Sequence, residues 1–340
     1  MRLRGSGSIF DRFEKHAHRD FASAASRYLA EFQGKDRTRP AQSIDAVLPY
    51  IGKMRLIDVD DEAMQQFKHD RAHGLGAFEK PAMSGTTNKD ICQVVTILNK
   101  ACRIWRWIPS APKLEYVNGP SKQAYPFSWE EQDRLFGHLP TGWDTGVACF
   151  AVNTGCRKEE IFGLRWADRQ WVPELDIKDE AGNVKERMFV FVLRGDTVKN
   201  GMDRAVICNS IARRAVKYQE QYQNKDGWVK SELVFPSRVR VGKDGKATKV
   251  RDGGKTWDDA WKAAGLPSGK MTKRGIHNCR HTFAHRLRAA GVPVEDRNAL
   301  LGHANTNLAQ HYASADVARL LAYAELITVR KETTILRSSG

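Results

Sequence analysis

What this 340-residue chain lacks narrows its chemistry first. Its longest apolar runs, Met188 to Leu193 and Val147 to Val152, fall far short of the roughly 20 residues a membrane-spanning helix needs, so no membrane role is expected. The six cysteines, Cys92, Cys102, Cys149, Cys156, Cys208 and Cys279, never stand as C-x-x-C and lack the close pairing of a zinc site or small disulfide scaffold. A reducing, cytoplasmic compartment fits them best. The opening Met-Arg-Leu-Arg-Gly-Ser-Gly-Ser is basic but has no apolar stretch behind it, so no secretory signal is expected. No G-x-S-x-G nucleophile elbow occurs, and no G-x-G-x-x-G follows a strand. Gly254-Lys255-Thr256 resembles the end of a phosphate loop, but Lys249 stands where the opening glycine belongs. His69 and His73 share a helical spacing, yet Asp70 replaces the glutamate a zinc-protease motif requires and no third ligand is apparent. No metal and no other cofactor is expected.

What the chain has is positive charge. Lys and Arg number 55 against 40 Asp and Glu, a net of +15, in a composition 41% hydrophobic and 28% charged. That is the balance of a folded chain with room for two domains. Between Pro236 and Ala290 there are 14 Lys or Arg against 4 Asp or Glu. Such a concentration points to a phosphate-rich partner for that segment.

The pattern of apolar residues divides the chain. Residues 1–18 read as a basic flexible arm. Helical periodicity then runs through Phe21 to Phe32, Ile44 to Met54, Glu62 to His73 and Asn88 to Trp107, giving a small all-helical domain over 19–112. Pro109, Pro112, Gly119, Pro120 and Pro126 mark a linker, set at 113–127. Ser128-Trp-Glu-Glu131 is a capping box that opens a second domain, 128–325, with a tail at 326–340. In that domain, helices around Thr145 to Asn153 and Arg157 to Leu164 precede strand-like stretches at Arg187 to Leu193 and Arg204 to Cys208. Helices are expected again at Thr256 to Ala264, His277 to Ala290 and from Pro293 onward. The fold class is therefore mostly α with a small β-sheet.

Three strings carry chemistry. Thr154-Gly155-Cys156-Arg157-Lys158-Glu159-Glu160-Ile161 places Arg157 in the first turn of a helix, with Glu160 three residues on and able to share its face. His277-Asn278-Cys279-Arg280-His281-Thr282-Phe283 puts His277 and Arg280 on one helical face. Leu301-Gly302-His303 is followed nine residues later by Tyr312. A guanidinium is a rigid, permanently charged fork, and two of them from different elements can grip both non-bridging oxygens of a phosphate.

In this order and spacing the strings resemble the tyrosine recombinase (phage integrase) family, over residues 128 to 325. The resemblance implies an all-helical core-binding domain followed by an α+β catalytic domain, the two forming a C-shaped clamp on double-stranded DNA. It implies that Tyr312 attacks a scissile phosphate to leave a 3′-phosphotyrosyl link, that Arg157 and Arg280 hold the phosphate, that His277 acts as general base and that His303 hydrogen-bonds the phosphate oxygens. Glu160 would order Arg157 from behind. The family's general acid is a lysine on a β-hairpin turn; Thr197-Val198-Lys199-Asn200-Gly201 makes Lys199 the candidate, with Lys185 or Arg194 as alternatives. By the same resemblance, a tetramer would act on two duplexes through a Holliday junction, in the integration or excision of a mobile element, with accessory DNA-bending proteins as further partners.

Two rival readings share these residues. A type IB topoisomerase uses similar chemistry, and His277 in place of the lysine common there argues against it. A catalytically inactive DNA-binding regulator is opposed by the full set of candidate residues. Past Tyr312, the residues Val317, Leu320, Leu321, Ala324 and Ile327 form an apolar face. Packing on its own domain and docking on a neighbouring protomer both suit it.

Overall fold

Asp20 starts the first helix: its carboxylate accepts the Ser23 backbone N–H at 2.8 Å, satisfying one of the donors every helix start leaves unpaired. Phe21, Ala24, Ala25 and Tyr28 then turn inward along α1 (Phe21–Ala30). The computed structural model describes residues 18–34, 36–120, 122–195, 203–223, 231–241, 247–249, 254–269, 272–303 and 314–330. All of the basic arm expected at 1–18 except its last residue lies outside them, as do residues 331–340 of the tail.

Helices α2 (Thr38–Ile51), α3 (Gln65–His73) and α4 (Ser84–Arg103) complete the first unit. Ile44, Val47, Phe67, Ile91, Val94 and Leu98 close one core with α1. The chain beyond α4 is irregular but fastened to this unit. Leu114 belongs to the same core, Asp61 accepts the Glu115 N–H at 2.7 Å, and the Asn88 amide pairs with both the N–H and the carbonyl of Val117. Residues 113–117, expected as linker, are thus tied to the helical unit by polar side chains that composition does not reveal. The chain divides into two compact units between Ser121 and Lys122.

In the second unit, α5 (Trp129–Gly137) opens on the expected capping box, with Ser128 Oγ accepting the Glu131 N–H and Glu131 accepting the Ser128 N–H. Helix α6 (Gly142–Thr154) buries Trp143, Val147, Phe150 and Val152. Apolar on nearly all sides, it lies at the centre of a core. A short helix, α7 (Lys158–Gly163), leads to five strands: β1 (Arg169–Trp171), β2 (Ile177–Lys178), β3 (Val184–Glu186), β4 (Phe189–Leu193) and β5 (Arg204–Ile207). β1, β4 and β5 form an antiparallel sheet in that order, with Leu193 paired to Arg204, while β2 and β3 make a separate hairpin. Phe189, Phe191 and Leu193 feed one core with Phe150 and Trp261, whereas Val190 feeds a second with Phe283 and Leu287. Both faces of β4 are covered, and that is why Phe-Val-Phe-Val-Leu is apolar throughout.

Helix α8 (Ser210–Gln223) is followed by the pair β6 (Pro236–Val241) and β7 (Ala247–Lys249), then by α9 (Gly254–Ala263), α10 (His277–Ala289), α11 (Val294–Leu301) and α12 (Ser314–Leu326). The β6–β7 pair was not expected, although Arg238-Val239-Arg240-Val241 alternates as a half-exposed strand does. The apolar face of α12 packs on its own unit: Val317, Leu320, Ala324 and Ile327 close the second core. Glu325 fixes the helix end by accepting from the N–H and hydroxyl of Ser210 and pairing with Arg213. Among the described residues no helix is long and apolar enough to cross a membrane.

Candidate active site

The turn between α6 and α7 builds the first part of the site. Gly155 ends α6 at φ +61, and a Cβ there would lie 2.5 Å from the Phe283 ring, so only glycine fits. Its carbonyl accepts from Arg280 Nη1 at 2.7 Å, which brings α10 to the turn. Two residues on, Arg157 is the N-cap of α7, with extended backbone (φ −73, ψ 154). It therefore stands just before the first helical turn and not, as its spacing to Glu160 suggests, inside it. The reason is Glu160: one carboxylate oxygen accepts the Arg157 backbone N–H at 2.7 Å while the other accepts its Nη1 at 2.8 Å.

Glu160 has a second partner. Arg204, the first residue of β5, donates Nη1 to the same carboxylate at 2.6 Å and Nη2 to the Leu300 carbonyl at 2.8 Å. Arg157 Nη2 reaches the Gly302 carbonyl at 3.5 Å. Both arginines thus serve carbonyls that the end of α11 leaves without intrahelical donors. Gly302 closes α11 at φ +64, and a Cβ there would collide with the Arg204 side chain. His303 follows, its N–H on the Asn298 carbonyl at 3.0 Å and its Nδ1 3.1 Å from Asn298 Oδ1. His277 lies one turn ahead of Arg280 on α10, and its ring meets that of His281 edge-on at 4.8 Å.

Arg157, Glu160, Arg280 and His303 are therefore drawn together from three segments remote in sequence, with His277 beside Arg280. Arg204 joins them unanticipated. Its only sequence signal is a charged residue opening the otherwise apolar Arg-Ala-Val-Ile-Cys. Lys199 and Tyr312 lie outside the described residues; the segments carrying them adjoin the cluster in sequence, at Asp203-Arg204 and at His303. Of the alternatives to Lys199, Lys185 is exposed on β3 and Arg194 follows β4.

Burial alone would raise the Glu160 pKa, but Arg204 and Arg157 more than offset it and hold the carboxyl below its ordinary value. Arg157 and Arg204 both pair with this one carboxylate, and Arg280, held on the Gly155 carbonyl, lies beside them. The strain falls on Arg280, pushed down to about 10 by burial and then by Arg204 and Arg157. It is still a cation at neutral pH. His277 is held below its ordinary value by partial burial, then by Arg280 and Arg157, and His303 likewise by burial and the three arginines. A site with surplus positive charge and neutral imidazoles is arranged to receive an anion and to accept a proton.

The second unit is α+β, carries the cluster and is preceded by a helical unit. Residues 129–319 match the phage integrase family, and the chain belongs to that family. It is 24% identical over 249 residues to an integrase of Salmonella phage P22, covering 73% of this chain and 58% of that protein. It is 27% identical over 195 residues to a XerC-like tyrosine recombinase of Caldanaerobacter subterraneus subsp. tengcongensis, covering 54% of this chain and 48% of the other. The chain thus spans about half the length of these curated relatives. Its fold is shared with the Tn1549 transposon integrase in complex with transposon right-end DNA (TM-score 0.60, 15% identity, 88% of this chain and 98% of that one). It is also shared with lambda integrase in a tetramer bound to a Holliday junction (TM-score 0.60, 13% identity, 92% and 85%).

Proposed function

We propose that the protein is a site-specific DNA recombinase that cuts and rejoins double-stranded DNA through a covalent tyrosine intermediate. The observation that carries this reading is the convergence of Arg157, which shares Glu160 with Arg204, and Arg280, which is held on the Gly155 carbonyl, at one junction: three guanidiniums around a single carboxylate among the described residues. In the proposed step the Tyr312 oxygen bonds to the scissile phosphorus and the bond from phosphorus to the 5′ oxygen breaks. His277 takes the phenolic proton and Lys199 supplies one to the departing oxygen. Arg157, Arg280 and His303 stabilise the charge that grows on the phosphate oxygens, and Glu160 keeps Arg157 in place. Attack by a new 5′ hydroxyl reverses the sequence on another strand. The energy of the broken phosphodiester is retained in the tyrosyl ester, so no nucleotide cofactor is needed.

In this reading the helical unit is the core-binding domain, residues 128–325 form the catalytic domain, and the two grip a duplex. Support for a tetramer on two duplexes comes from the lambda integrase assembly. Accessory DNA-bending proteins would act beside it, in a cytoplasmic, DNA-associated setting. The test is covalent capture: the full chain is mixed with a pool of nicked duplexes of random sequence, denatured, and the retained strands are sequenced. Wild type is expected to retain one sequence class through a phosphotyrosyl bond at residue 312, and Tyr312→Phe none. No retention by wild type would mark a DNA binder without this chemistry.

A further inference from the structure

Arg204 belongs to none of the roles assigned above, yet it touches two parts of the site, Glu160 and the end of α11. We propose that Arg204 is a positioning residue that locks the phosphate clamp to the segment leading to the nucleophile. This inference rests on the recombinase reading. Its guanidinium is buried, with one arm on Glu160, which holds Arg157, and the other on the Leu300 carbonyl at the end of α11, three residues before His303. It occupies the space a Cβ on Gly302 would need, so the turn into His303 is shaped around it. It is also the residue with which β5 begins, immediately after the segment carrying Lys199. A rigid fork can bridge a carboxylate and a carbonyl on different segments; an ammonium, a compact charge on a flexible stem, cannot reproduce that geometry. A guanidinium needed only to neutralise Glu160 would not also have to meet α11.

The test uses the full chain and the duplex recovered by covalent capture. Arg204→Met is expected to slow single-turnover cleavage by between about tenfold and about a hundredfold, the worth of one or two charge-assisted hydrogen bonds. Binding of the duplex should change by less than about threefold. Because Glu160 loses its strongest ionising partner, the acid limb of the pH–rate profile should move to higher pH, whereas a merely structural loss would lower the rate evenly. Arg204→Lys should return the acid limb but only part of the rate, and it keeps the test open should the methionine variant fold poorly. In a Glu160→Gln background, Arg204→Met should add little, because the two act as one unit. An unchanged rate, an unmoved acid limb, or losses that multiply in the double variant would overturn the proposal. Failure of wild type to form any adduct counts against the recombinase reading alone.

Discussion

Arg280 and Arg286 lie six residues apart on α10, both are nearly inaccessible to solvent, and burial pushes both down to about 10. Their neighbours differ. Arg280 spends one nitrogen on the Gly155 carbonyl and otherwise faces Arg157, Arg204 and a shared Glu160. Arg286 stands over Trp129, its Cζ 3.4 Å from the ring centre, with Nη1 on the Gln132 side chain at 2.9 Å. The first is a cation crowded by cations beside a carboxylate it does not own. The second rests on an aromatic face and one amide, with its Nη2 buried and without a hydrogen-bond partner, and neither contact is one an entering phosphate would displace. Equal burial therefore means storage of binding potential at one end of the helix and cohesion at the other.

The sharpest test of that contrast is Arg280→Met, expected to lower single-turnover cleavage by about a thousandfold, as for loss of a principal charge-stabilising donor. Its thermal midpoint should hold or rise, since a charge buried beside two like charges is removed. Arg286→Ala should do the opposite: a loss of about 2–3 kcal/mol in urea unfolding, from the ring contact, the hydrogen bond and the space left behind. Cleavage by the protein that remains folded should stay within about threefold. Equal loss of cleavage in both variants would erase the distinction.

A smaller effect is expected at the turn that holds Arg280. Gly155→Ala forces a side chain into a left-handed conformation against Phe283 and should cost about 1–3 kcal/mol, read by thermal or urea unfolding. Cleavage should fall with it, because the acceptor of Arg280 moves. Retained stability would mean that the turn relaxes freely. The smallest effect concerns His281, which is pushed down to about 4 by burial, then by His277, Lys273 and Arg280. Its folded pKa is below its unfolded value, so its contribution is complete above about pH 6.5 and is lost as pH falls toward about 4, where the unfolded chain takes up a proton that the fold refuses. With solvent screening this amounts to about 1 kcal/mol. Urea midpoints of wild type and His281→Phe at pH 7 and pH 5 should diverge by that amount, and parallel values would remove His281 from the acid response.

Much of this arrangement is legible in the chain because its signals are local. Helical periodicity gives most helices of both units, though not α8 (Ser210–Gln223), Ser128 and Glu131 give the start of α5, and the spacing of His277 to Arg280 gives a shared face whatever they pack against. The meeting of Arg157 with α11 is not local and emerges only once Gly155 and Gly302 have turned the chain. Arg204 escapes notice for the same reason: its partners, Glu160 and Leu300, are 44 and 96 residues away. The Arg-Val alternation of β6 is legible but short, and the attachment of residues 113–117 is hidden in the polar bonds that fasten them.

The most direct measurement of the central claim is a crystal structure of the full chain with its captured duplex. The account predicts that Arg157 and Arg280 donate to the two non-bridging oxygens of one phosphate, at about 2.7–2.9 Å, beside an ionised Glu160. If the two guanidiniums contact different phosphates, or Arg280 remains on Gly155 alone and leaves the scissile phosphate to other groups, the account is wrong.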